Sequence, residues 1–176
     1  MHAVHLATRF FGAWSTRPPA EVDVAWVAAV LTPDEFTLWS DQPAHDRRHA
    51  VDVARRVEQA LAGTDAAGDP RWIEAALLHD VGKVDAHLGV PARVGATLAG
   101  MSAGPARVRA WAGRAGVRGR VGRYLLHPEL GAARIRACGG SDEAARWALV
   151  HQERARHAEA GLPAPVVAAL AAADDD

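Results

Sequence analysis

The chain has 176 residues, 49% of them hydrophobic, with 20 Lys and Arg against 21 Asp and Glu and a formal net charge of -1. That length suffices for one domain with a sizeable core, and the near-neutral balance gives no global basic field that would make nucleic acid or a membrane surface an expected partner. Cys138 is the single cysteine, which excludes an intramolecular disulfide and agrees with a reducing, cytoplasmic setting.

Few segments alternate with a period of two, whereas Ala-rich windows with apolar residues three and four apart recur between Gly and Pro breaks, so the expected fold is all-α. At the N-terminus, Val4, Leu6, Phe10 and Phe11 are interrupted by His5, Thr8 and Arg9. A helix over about Val4 to Ala13 fits this pattern; a signal peptide or membrane span does not. Thr16-Arg17-Pro18-Pro19 then breaks the chain before a second helix over about Ala20 to Leu31. Thr32-Pro33-Asp34-Glu35 has the form of a helix start, with a capping hydroxyl, a first-position Pro and acids in the first turn.

The next helix follows Asp41-Gln42-Pro43, runs to about Leu61 and carries His45 and His49. At about 100° per residue, Ala50, Val53, Ala54, Val57, Ala60 and Leu61 share one arc and His49 borders it, close to Val53. A histidine at such a border is either a packed, hydrogen-bonded residue or a ligand. Pro70 to Asp80 is almost uniformly apolar, as in a helix buried on most sides, and ends in His79-Asp80, where Gly82 can stop it. A carboxylate there requires an Arg partner or a metal, because burying it alone costs several kcal/mol. Further helices are expected over Pro91 to Met101, Ala106 to Ala112, Val117 to Leu126, Pro128 to Ala137, Asp142 to His151 and Pro165 to Asp174. His127 precedes Pro128 and falls at a bend. Trp147 and His151 share a face at i, i+4, and Val167, Leu170 and Asp174 form a stripe that continues the core.

Asp46-Arg47-Arg48-His49-Ala50-Val51-Asp52-Val53-Ala54, Leu77-Leu78-His79-Asp80-Val81-Gly82-Lys83 and Ala172-Ala173-Asp174 together resemble the H…HD…D signature of the HD superfamily, over most of the chain. The resemblance implies a helical bundle in residues 41–176 that binds metal, with residues 1–40 as a helical extension packed on it. It also implies that His49, His79, Asp80 and Asp174 hold one ion. Tyr124 to Gly131 and Val150-His151-Gln152-Glu153 resemble the HPE-x-G and HHE segments of the two-metal subgroup, so His127 and His151 would hold a second ion with Asp80 bridging. Four imidazoles and two carboxylates favour Fe or Mn over Mg. The chain departs from the HD-GYP branch: Gln152 stands in place of a His, and Ala160-Gly161-Leu162-Pro163 only faintly echoes the GYP element.

The function this resemblance implies is hydrolysis of a small phosphorylated, nucleotide-like substrate by a metal-bridging hydroxide. Asp80 would orient the hydroxide, Lys83 would neutralise developing charge, and Glu153 is a candidate leaving-group acid. Mixed-valent di-iron oxygenase chemistry on a similar ligand set, and non-catalytic nucleotide binding, are the alternatives. Arg107, Arg109, Arg114, Arg118, Arg120 and Arg123 crowd the approach to His127, either as a phosphate-gripping wall or as a solvated face. His45, His87 and His157 are expected at the surface or behind the ligands.

Overall fold

The computed structural model describes residues 17–175; the helix expected over Val4 to Ala13, and Trp14 with it, lies outside them. Every regular element among the described residues is helical. The α-helices are α1 (Glu21–Val30), α2 (Pro33–Ser40), α3 (Ala44–Leu61), α4 (Pro70–Leu78), α5 (Val90–Ser102), α6 (Pro105–Ala112), α7 (Gly116–Leu125), α8 (His127–Ala137), α9 (Asp142–Val150) and α10 (Ala164–Asp175). Two 3-10 segments, Val81–Ala86 and Arg154–Ala160, each follow a helix whose C-cap is a histidine, and neither is expected from apolar periodicity. No helix among the described residues is long and apolar enough to cross a membrane.

Local chemistry sets the helix boundaries. Thr32 and Glu35 form a reciprocal capping box at α2: the Glu35 amide donates to Thr32 Oγ1 at 3.4 Å, and the Thr32 amide donates to Glu35 Oε2 at 2.8 Å. Asp69 caps α4 ahead of Pro70, and Ser141 caps α9. Helix α4 is the central element, packed by α3 and α9, while α10 lies on α3 and α8 on α9. Ala75, Ala76, Leu77 and Leu78 are all fully buried, and each leucine side chain contributes about 1.5–3 kcal/mol by leaving water. Val27, Leu31, Leu38 and Trp39 belong to the same core cluster as α3, α4, α9 and α10. Cation–π contact adds to this packing, with the Arg55 guanidinium 3.5 Å from the centroid of Trp26.

An acidic group lies inside this frame, away from the histidines. The Ser141 amide donates to Glu74 Oε1 at 2.7 Å, and the carboxyl of Glu35, itself buried, faces Glu74 from α2. Burial, reinforced by Glu35, raises the Glu74 pKa to about 7. Since the folded value exceeds the unfolded one of about 4.3, the stabilisation is complete below that pH and is lost as pH rises through about 7. Glu74→Gln is therefore expected to remove most of this pH dependence and to raise stability at pH 8 by on the order of 1 kcal/mol, allowing for solvent at this half-buried side chain. Urea midpoints at pH 5 and pH 8 would check it; equal pH dependence in parent and variant would contradict it.

Candidate metal centre

Helix ends build the site. His79 is the residue after α4, His151 the residue after α9, and His127 opens α8 two residues after α7 ends at Leu125. In all three imidazoles Nδ1 donates to the carbonyl three residues earlier: His79 to Ala76 O at 2.8 Å, His127 to Tyr124 O at 2.6 Å and His151 to Ala148 O at 2.8 Å. Those are last-turn carbonyls, where the regular ladder of the helix runs out; Tyr124 O also accepts from the Leu126 amide that caps α7. A carbonyl can only accept, so Nδ1 carries the proton and the neutral ring has its lone pair on Nε2.

All three Nε2 atoms converge on Asp80. They stand 3.4 Å (His79) from Oδ2, and 3.4 Å (His127) and 3.3 Å (His151) from Oδ1. The Nε2 atoms of His79 and His127 and Asp80 Oδ1 are buried and make no hydrogen bond. The His79 and His151 rings sit edge to face with centroids 5.1 Å apart, and the His127 and His151 rings are tilted at 59° with centroids 5.5 Å apart. From α10, Asp174 Oδ1 lies 3.1 Å from His49 Nε2 and 3.5 Å from His79 Nε2. The six side chains expected to be ligands thus meet in one place. Two triads have donor atoms within 4.8 Å of one another and could hold an ion: His49, His79 and Asp174, and His79, Asp80 and His151. His79 is common to both. His127 belongs to neither but reaches the second through Asp80.

Electrostatics at the centre favour a cation. Burial pushes His127 down to about 4, leaving a neutral ring with its lone pair toward a carboxylate. For His79, burial opposes the charge, but Asp80 and Asp174 outweigh it and raise the pKa to about 10, so a proton and a metal ion compete for its Nε2. Burial also opposes ionisation of Asp80 and Asp174; Lys83 and His79 for the first, and His79 and His49 for the second, hold both well below the usual carboxylate range. The C-terminal ends of α4, α7 and α9 supply the Nδ1 partners, and α10 carries Asp174 in its last turn. Each helix end adds partial negative charge. The cluster is closed on one side and open on the other: the side chains of His79 and His127 are 1% exposed, against 29% for His49 and 23% for Asp174.

The other candidates divide. Lys83 Nζ donates to Asp80 Oδ2, so its charge is already engaged beside the cluster. Glu153 is exposed and pairs with Arg156 on the surface, outside the cluster. His87 is an exposed, left-handed cap at φ 47°, and His45 turns to Asp46 at 3.3 Å. His157 has a supporting role: its Nε2 donates to the His151 carbonyl at 2.8 Å, and its ring lies 4.9 Å from that of Trp147.

Two features escape sequence reasoning. Asp46 and Arg93 form a buried bidentate pair, at 2.7 and 2.6 Å, that ties α5 to α3. The available signal is that Asp46 precedes Ala50, Val53 and Val57 on the inward arc of α3, where a carboxylate needs a cation. Gly82, expected to stop a helix, instead permits close backbone contact: a Cβ there would lie 2.1 Å from His127 O and 2.5 Å from Gly131 N.

No family model matches the chain, and neither a curated protein nor a solved structure matches it.

Gly82→Ala is expected to push α8 away from the Val81–Ala86 segment and cost at least 1–3 kcal/mol, as in overpacked cores; a urea midpoint equal to the parent's would contradict the contact. Arg93→Met strands the Asp46 carboxylate and is expected to cost about 3–5 kcal/mol, while the double variant Asp46→Leu, Arg93→Met recovers most of that loss. A double-mutant cycle in urea reads the coupling directly.

Proposed function

We propose that this chain is a metal-dependent phosphohydrolase of the HD type, acting on a phosphomonoester or phosphodiester of nucleotide-like character. The observation that carries the reading is the buried Asp80 carboxylate ringed by three imidazoles whose proton-bearing nitrogens are tied to helix-end carbonyls. The Nε2 lone pair of His127 faces an Asp80 Oδ1 that makes no hydrogen bond, an arrangement that a cation between them would relieve, and a mixed imidazole and carboxylate set suits Fe or Mn. His49, His79, Asp80 and Asp174 would hold one ion, and His127 and His151, with Asp80 shared, the other. Two such ions supply Lewis acidity toward phosphoryl oxygens and acidify water.

The chain's own residues divide the remaining work. Asp80 turns Oδ1 toward His127 and His151 and Oδ2 toward His79 and Lys83, which fixes its plane and lets it orient a nucleophilic water. Lys83, three residues on, brings an ammonium next to that carboxylate and can share its charge with a phosphoryl oxygen. His49 and Asp174 stand at the solvent-reached end, where substrate enters. Glu153, exposed and paired with Arg156 outside the cluster, takes no part in this division.

The test is metal analysis of protein purified without added metal, joined to an anaerobic screen of phosphoesters with Mn and Fe. About two metal ions per chain and ester turnover are expected, with Asp80→Asn losing metal and about a hundredfold or more of the rate. Absence of any bound transition metal would overturn the reading, as would bound metal with no ester hydrolysed. Oxygen uptake by the iron-loaded protein would assign the pair of ions to oxygenase chemistry instead.

A further inference from the structure

The near-neutral total conceals a segregation of charge. Between Asp85 and Glu129 there are seven Arg and no Asp or Glu; -1 minus +7 leaves -8 for the rest of the chain. Most of these guanidiniums stand on the hairpin of α6 and α7. Arg107, Arg109, Arg114, Arg118 and Arg120 are exposed, and none of the five is in an ion pair among the described residues.

The hairpin that displays them is clamped. A Cβ at Gly119 would lie 1.7 Å from Arg114 O, and one at Gly122 would lie 2.3 Å from the Ala112 amide nitrogen, so the helices touch backbone to backbone. Arg123 turns inward, donating to Asp85 O at 2.8 Å and Ala112 O at 3.2 Å, which fastens the hairpin to the 3-10 segment bearing Lys83. Along α6, Arg107 and Trp111 stand four residues apart, so a partly exposed indole shares a helix face with a guanidinium.

We infer that the α6–α7 hairpin binds the backbone of a single-stranded nucleic acid. Guanidinium forks match phosphate oxygens, a row of them on a rigid support tracks a polyanion, and an aromatic among them offers a face on which a base stacks. An amphipathic helix lying on a membrane needs a continuous exposed apolar face; Val117 is the one large apolar side chain of α6 and α7 that is well exposed. This binding surface stands independently of whether the metal centre turns over an ester.

The test is fluorescence anisotropy of labelled oligo(dT) and oligo(rU) with the full chain as purified, from low to physiological salt. Saturable binding is expected, with log affinity falling linearly in log salt by about 0.7 per phosphate contacted. The triple variant Arg114→Gln, Arg118→Gln, Arg120→Gln, with helical circular dichroism and metal content matching the parent, is expected to bind at least tenfold more weakly and with a slope shallower by about 2. Trp111 fluorescence provides a second readout, isolated by comparing the parent with Trp111→Leu, and is expected to be quenched by either oligonucleotide. The two probes distinguish DNA from RNA. No binding at low salt, unchanged affinity in the triple variant, tighter binding to a duplex of equal length, or binding to phosphatidylserine vesicles in place of oligonucleotide would each overturn the inference.

Discussion

A buried carboxylate surrounded by imidazoles that cannot turn away is the constraint on which the site depends. Asp80 is 2% exposed and His79, His127 and His151 between 1% and 6%, so none can relax into solvent. Each ring is held by a bond from Nδ1 to a last-turn carbonyl of the helix before it. One interaction thereby closes a helix, fixes a tautomer and aims a lone pair. Using it at the ends of α4, α7 and α9 makes the packing of three helices and the geometry of the centre a single problem.

Part of this is legible in the sequence. Wheel position puts His49 at the margin of the inward arc of α3, the apolar run of α4 marks His79 and Asp80 as buried, and the stripe through Val167 and Leu170 selects Asp174. Periodicity is a property of one helix, however, and contacts between helices have none. Gly82 and Gly131 face each other across the crossing of the Val81–Ala86 segment and α8, and only that approach brings His127 beside Asp80. From sequence alone, Gly82 has the spacing of a helix stop. The 3-10 segments are equally hidden, since a tighter turn of six or seven residues leaves too short a pattern to read.

Charge shows the same gap between local and global reading. A net charge of -1 says nothing about where the charges sit, and here a run without acids folds into one hairpin while carboxylates gather elsewhere. Asp46 and Arg93 cross that division. Their bidentate pair removes one Arg of the run from the surface and uses it to anchor α5 beside the start of α3, one turn before His49. Arg134 does similar work on the other side, bonding Asp85 through Nε at 2.9 Å just beyond Lys83.

The layout also orders events at the centre. Two carboxylates and the negative ends of four helices make the empty-handed approach of an anion unfavourable, since every fixed charge within the cluster except that of Lys83 and of any protonated imidazole has the wrong sign. Cations held by the Nε2 lone pairs would reverse this, and the half-exposed His49 and Asp174 edge would then admit the phosphorylated ligand proposed above. On the proposed reading, metal loading would precede anion binding for an electrostatic reason. A ligand held only by the Arg hairpin is free of that requirement, because its countercharges stand on α6 and α7, outside the cluster.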